Sequence, residues 1–177
     1  MAGQIDPVEF REACGRFVTG VCLVTALGPE GPSGMTANAV TSLSLDPPLM
    51  IVCFASTART LAAVEHSRRF GVQFLAHDQE DVAARFASKM PEGEKFAGLA
   101  WSERAGVPSI DGCLAWLGCE LRDLHLGGDH LIGVGEVVDL WRGEGEPLVF
   151  FQGDYWSLTE REDAPPEVDR ALEGPGG

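Results

Sequence analysis

The residue types best suited to hold a small molecule fall in one run, Gly34 to Leu49: Gly-Met-Thr-Ala-Asn-Ala-Val-Thr-Ser-Leu-Ser-Leu-Asp-Pro-Pro-Leu. Short hydroxyl and amide side chains (Thr36, Asn38, Thr41, Ser42, Ser44) sit among apolar and β-branched positions, and a double proline ends the run. A strand that only packs has little use for them, since a buried polar group left without a partner costs about 1–3 kcal/mol. A strand lying against a planar, polar ligand uses close backbone approach and several short donors and acceptors. Ser56, Thr57 and Thr60 stand where an apolar strand passes into a helix. Hydroxyls and free N–H groups at a helix N-terminus make a phosphate site; an ordinary helix cap has the same composition. Lys89, at the end of a later helix, suits either a balancing charge for that phosphate or a simple dipole contact. His130 follows Gly127-Gly128-Asp129, where the glycines allow a sharp turn, and precedes Leu131-Ile132, which resumes a strand. Its imidazole is placed to bond a ligand amide or stack on a ring; a surface turn balanced by Asp129 reads the same way.

Other chemistries lack their motifs. The chain has no Walker A loop, no strand-linked Gly-x-Gly-x-x-Gly, no Gly-x-Ser-x-Gly elbow and no His-Glu-x-x-His. His66, His77, His125 and His130 lack metal-ligand spacing, and the five cysteines stand singly, so neither a metal site nor a disulfide framework is expected. A formal net charge of −14 argues against nucleic acid and against an anionic membrane surface. No apolar run reaches the roughly 20 residues that span a bilayer. The N-terminus lacks the basic start and apolar core of a signal peptide, so the expected residence is cytoplasmic.

The elements that must position these groups follow from periodicity and turn residues. Asp6 as N-cap, Pro7 at the first helical position and Glu9 closing a capping box start a helix with Phe10, Ala13, Cys14 and Phe17 on one apolar face. Val21 to Ala26 reads as a mostly buried strand, and after the turn Gly28-Pro29-Glu30-Gly31-Pro32 the polar run forms its return strand. Leu49 to Ala55 is a strand apolar on both faces, Thr57 to Ser67 a short helix with Leu61 and Val64 inward, and Phe70 to Leu75 a further strand. Asp78 is placed to cap a helix with Val82, Ala83 and Phe86 as its buried stripe, and residues 90 to 111 read as loop. Cys113 to Leu124, Leu131 to Trp141 and Pro147 to Phe151 are strands, the last followed by a Gly153-Asp154-Tyr155-Trp156 turn. Six or more strands with short helices and tight turns favour a closed antiparallel barrel over a doubly wound sheet. At 177 residues the chain makes one domain, over 1–160, with an acidic, Pro/Gly-rich tail over 161–177 that reads as disordered.

In order along the chain, Phe10-Arg11-x-Ala13, Phe17-x-Thr19-Gly20-Val21, Gly34-Met35-Thr36-Ala37-Asn38, Ser42-Leu43-Ser44-Leu45-Asp46-Pro47-Pro48-Leu49, Gly128-Asp129-His130 and Gly135-Glu136-Val137 resemble the flavin reductase-like domain family. The resemblance covers roughly residues 8 to 158. It implies a mainly β fold with short helices, an FMN-binding split β-barrel of antiparallel Greek-key type. It implies NAD(P)H:flavin oxidoreductase activity, with hydride passing from NADH or NADPH to FMN or FAD and reduced flavin leaving for a separate flavin-dependent monooxygenase. A homodimer is implied as well. Carried over, Thr36, Ala37, Asn38, Ala39 and Val40 line the flavin ring, Thr41 and Ser42 lead toward the ribityl chain, and Ser56, Thr57, Thr60 and Lys89 hold the phosphate. His130 stands as the catalytic residue on the nicotinamide side, with Tyr155 nearby. Ala39-Val40 replaces a common Ser-Phe, Gln73 a common Asn, and Ser56 a residue that is basic in several relatives. Two other roles share these residues: a flavoprotein with tightly bound FMN acting on another acceptor, and a flavin-binding module without turnover.

Overall fold

Strand alternation and tight turns build most of the chain into antiparallel sheet. The computed structural model describes residues 5–158, so the tail expected over 161–177 lies outside the described residues. Its first half runs α1 (Pro7–Cys14), β1 (Thr19–Gly20), β2 (Cys22–Gly28), β3 (Gly31–Ala37), β4 (Val40–Leu45), β5 (Pro48–Ala55), α2 (Arg59–Ser67) and β6 (Arg69–Phe74). After a 3-10 turn at His77–Gln79 come α3 (Glu80–Ala87), α4 (Glu92–Phe96), β7 (Trp101–Arg104), β8 (Val107–Ile110), β9 (Ala115–Gly127), β10 (His130–Arg142), β11 (Val149–Phe151) and β12 (Asp154–Trp156).

Seven strands form one antiparallel sheet in the order β3-β2-β6-β9-β10-β5-β4. The polar run is therefore not a single return strand. β2 begins at Cys22, which pairs with Ala37, so the return strand runs out of partner there. The chain then crosses to β5, where Val40 pairs with Val52. β3 and β4 are thus opposite edges of the sheet, joined only through Asn38 and Ala39. Three Cα steps reach about 11 Å at most, so the sheet must curl until its edges nearly meet. The result is a split barrel, open between β3 and β4, in place of the closed barrel that strand count alone favours.

One core cluster lies inside this curl and draws from all seven strands, among them Met35, Val40, Val24, Val52, Phe54, Phe70 and Val72, with Leu61 and Val64 of α2 packed in. β2, β6 and β9 also bury their other face, since Leu23 and Trp116 belong to a second cluster with Phe86 of α3, Phe96 of α4 and Ile110 of β8. The period of two along a strand buried on both faces produces this split. Gln73, wholly buried, ties the layers together: its Nε2 donates to Thr25 Oγ1 and its Oε1 accepts from the Ile110 N–H.

Several expectations change. Asp6 caps α1 by accepting from the Val8 and Glu9 N–H groups, yet α1 buries no residue, and Phe10 (61% exposed) and Phe17 (77%) face outward because no element among the described residues covers them. Residues 90 to 111 contain α4, β7 and β8, elements of four or five residues, too short to show a period. Asp78 does not cap α3; it lies in the 3-10 turn, where Gln79 Oε1 takes the Ala76 N–H instead. The expected turn at Gly153–Trp156 is a hairpin whose two turn residues, Gln152 and Gly153, both have positive φ (54° and 88°), as a tight antiparallel hairpin requires. The outer face of β5 is only half-buried, not apolar-packed like the inner one.

All five cysteines are free. Burial pushes the thiols of Cys22 and Cys119 up to about 12 and that of Cys113 to about 11. A raised acid binds more protons folded than unfolded, so stability falls as pH rises from the ordinary thiol range near 9 toward those values. Thermal melts are expected to lose ground steadily above about pH 9. Thiol titration of the native protein should find Cys14 reactive and Cys22, Cys113 and Cys119 protected; rapid reaction of those three would overturn this. Among the described residues, no helix is long and apolar enough to cross a membrane.

Candidate active site

The edge of β3 sets the geometry. The Gly34 N–H donates to Glu92 Oε2 (2.8 Å) and the Gly34 carbonyl accepts from Lys95 Nζ (3.1 Å), so both main-chain groups point away from β2. By the two-residue repeat, those of Thr36 point the same way, out of the sheet edge. The Thr36 hydroxyl itself is engaged, donating to the Ala83 carbonyl of α3 (2.6 Å). Ala37 packs against the inner core. Asn38 and Ala39 form the exposed link, where the Ala39 carbonyl accepts from the Cys53 N–H (3.0 Å). Val40, Thr41 and Ser42 continue along β5, opposite Val52, Ile51 and Met50, with the two hydroxyl residues exposed.

Two more parts of the chain meet next to this strip. His130 opens β10 opposite Ala55, and the Ser56 N–H donates to the Asp129 carbonyl (3.0 Å). The Gly128–His130 turn therefore lies beside Ser56. Ser56 and Thr57 are exposed, and no side chain caps α2 at its N-cap residue Ala58; the Leu61 N–H turns back to the Ala58 carbonyl (3.1 Å), which leaves the N–H groups of Arg59 and Thr60 available to an anion. Thr60 is buried instead, its hydroxyl 3.2 Å from that of Ser33. Arg59 Nη2 donates to the Met90 carbonyl (2.6 Å), which draws the exposed Lys89 and its segment toward the same helix start.

His130 Nδ1 lies 2.7 Å from Asp129 Oδ1, and its side chain is 46% exposed. Bonding to the imidazole holds the Asp129 carboxyl below its usual range. With Nδ1 engaged, Nε2 is the nitrogen left for a ligand. Tyr155 is not drawn to this group by any bond. It sits in the small β1-β11-β12 sheet, edge-on to Phe150 (5.7 Å), with its phenol pushed up by burial and then by Glu80.

Sequence reading missed Arg59, Glu92 and Lys95. The spacing of Glu92 and Lys95 is that of a surface helix pair, and nothing in it signals that Lys95 is 3% exposed. A cleft of about 620 Å³ between α1 and the β11–β12 turn touches the polar run only at Asn38. The candidate site is an open strip across the split rather than that cleft.

The chain matches the model of the flavin reductase like domain over residues 14–159. The chain belongs to this family. The reductase subunit HsaB of a flavin-dependent monooxygenase from Mycobacterium tuberculosis is 38% identical over 169 residues, covering 93% of this chain and 89% of the relative. An NADH-dependent flavin reductase from a Rhodococcus species is 40% identical over 164 residues, covering 89% and 92%. In the crystal structure of nitrilotriacetate monooxygenase component B from Mycobacterium thermoresistibile, 37% identical, the fold superposes with a TM-score of 0.85 over 94% of both chains.

The residues of this flavin reductase-like domain fit a flavin. A flavin presents a flat ring with edge donors and acceptors, a hydroxylated chain and a phosphate. Facing it here are an unpaired strand edge at Thr36, exposed hydroxyls at Thr41 and Ser42, and an uncapped helix start after Ser56 and Thr57.

Proposed function

We propose that this chain is an NAD(P)H-dependent flavin reductase that transfers hydride from a nicotinamide to FMN or FAD and delivers the reduced flavin to a separate monooxygenase. The convergence of the β3 edge, the start of α2 and the His130 turn on one open strip carries this reading. The activity in the names of the relatives supports it. When bound, the flavin and nicotinamide supply the hydride chemistry themselves.

The chain's own residues bind and orient. Thr36, Ala37, Asn38, Ala39 and Val40 line the flavin ring, mainly through main-chain groups. Thr41 and Ser42 face the ribityl chain. Ser56, Thr57 and the first-turn N–H groups of α2 take the phosphate, with Lys89 balancing its charge; Thr60 contributes its N–H while its hydroxyl braces α2 against Ser33. His130, steadied by Asp129, presents Nε2 to the nicotinamide amide. Tyr155 acts as a wall residue through its packing on Phe150. The chain would need to supply no side-chain acid or base, only to hold the two rings within reach of each other.

The active form is a homodimer with its site near the interface. The uncovered apolar side chains of α1, and Leu43 and Leu45 on the β4 edge, support this. The deciding assay follows NADH and NADPH absorbance with FMN, FAD or riboflavin supplied. Oxidation with at least one pair, by protein that loses flavin on desalting and sediments at twice the 18.9 kDa chain mass, is expected. Retained stoichiometric flavin would instead indicate a prosthetic group, binding without oxidation a non-catalytic module, and a monomeric mass would overturn the dimer.

A further inference from the structure

Glu92 gathers, on one carboxylate, two segments that carry the proposed flavin contacts, and a third through Arg59. Its Oε2 accepts from the Gly34 N–H (2.8 Å) and the Ser33 hydroxyl (3.0 Å) of β3. Its Oε1 lies 3.0 Å from Arg59 Nη2 at the start of α2 and 3.2 Å from Lys95 Nζ. Arg59 reaches on to the Met90 carbonyl, next to Lys89. Lys95 donates to the carbonyls of Gly34 (3.1 Å) and Phe86 (3.3 Å). No buried side-chain donor or acceptor of this hub is left without a partner, which is the condition under which a largely buried ion pair is tolerated.

Well-packed apolar side chains of the same volume would fill this space equally well. What the charges add is direction. Together they grip the N–H and the carbonyl of one edge residue, Gly34, as a neighbouring strand would. Because main-chain groups alternate along a strand, that grip fixes the rotation of β3 two residues later, where Thr36 presents its own groups at the split. The grip also needs a bare position: a Cβ on Gly34 would come within 2.7 Å of the Phe86 ring.

We infer that the Glu92–Lys95 pair is a positioning element for flavin binding, acting through Gly34 on the edge of β3 and through Arg59 on the segment that bears Lys89. This rests on the flavin-reductase reading above.

The test compares wild-type protein with a double variant, Glu92→Met with Lys95→Met, which removes both charges without orphaning either. FMN and riboflavin affinities are read by flavin fluorescence quenching, KM and kcat by NADH oxidation, and folding by thermal melting. The expected double variant folds but melts below wild type, because the buried Gly34 N–H and carbonyl lose their partners, while Kd and KM rise about tenfold for FMN and riboflavin alike. Its kcat stays within about twofold, because the chemistry at the rings is untouched. Wild-type flavin affinities in the folded double variant overturn the proposal, and so does a loss confined to FMN, which would mean a direct role at the phosphate. If the double variant does not fold, Arg59→Met, which leaves the buried pair intact, is expected to weaken FMN about threefold; an unchanged affinity there also overturns it. Failure of the wild-type protein to bind or turn over any flavin would sink the flavin reading itself, an outcome distinct from these.

Discussion

Replacement of His130 by alanine is expected to lower kcat/KM for NADH by roughly 10- to 100-fold, the loss of one hydrogen bond made by an oriented donor to a ligand. The same variant should keep its FMN affinity within about threefold, because in the proposed arrangement His130 on β10 serves the nicotinamide whereas the flavin ring contacts come from β3 and β4. So large an effect follows from the way the ring is held. Gly128, at φ 68°, lets the chain turn tightly into β10, and pairing with Ala55 anchors His130 at the strand's first residue. The 2.7 Å contact with Asp129 then fixes the ring's orientation. A side chain that exposed would otherwise sample several rotamers. The Asp129 carboxyl is held below its usual range by this contact, so the pairing is intact at neutral pH and is lost only as pH falls through the lowered value. Steady-state kinetics of His130→Ala with NADH varied at saturating FMN checks the prediction. An unchanged kcat/KM for NADH would remove His130 from the site.

The largest expected effect on stability belongs to Phe86. Phe86→Ala should cost about 3–5 kcal/mol, the usual range for emptying a fully buried aromatic position. For a domain of this size that is a fall in Tm of roughly 6–20 °C. Phe86 is 1% exposed and meets Phe96 edge-on at 5.0 Å, which in turn meets Trp101 at 5.7 Å. It also closes over the bare backbone of Gly34 and offers its carbonyl to Lys95, so the cavity would open directly under the gripped edge of β3. Flavin KM should rise together with the loss of stability. Phe86→Leu, which keeps most of the volume, should recover the greater part of both. Differential scanning calorimetry of the two variants measures this, and a Phe86→Ala midpoint within about 2 °C of wild type would show that the second core closes without it.

Much of the fold is legible along the chain because its causes are local. β2, β5, β6, β9 and β10 announce themselves through apolar runs and alternation, and α1 through Asp6 and Pro7. The buried stripe Val82, Ala83, Phe86 follows from helical spacing, and Ala83 and Phe86 are indeed buried. The short elements α4, β7 and β8 are illegible for a physical reason: four or five residues complete barely one helical turn or two strand repeats, and their stability comes from packing on β9 and α3 rather than from their own pattern. Thr60 and Lys95 mislead in the same direction. A hydroxyl at a helix start reads as exposed and a lysine reads as solvated, yet both are buried against β3, Thr60 beside Ser33 and Lys95 on the Gly34 carbonyl.

The polar run from Gly34 to Leu49 shows the division most clearly. Its composition by itself pointed to a polar, planar partner, and its motifs, with those around it, resemble the family to which the chain belongs. Side-chain chemistry and local spacing are properties of the sequence, and they suffice for that. That the run is two strands, one on each lip of a split barrel, was decided only in three dimensions. β3 pairs with β2 and β4 with β5 in separate hairpins, and β5 joins the same sheet only through β10, far along the chain, so the two lips come together only when the sheet curls around its core. The same curl brings Glu92, Arg59 and the His130 turn to the edges of that strip. Long-range pairing of this kind depends on which strand edges remain free after the others have formed, and no local stretch of sequence carries that information.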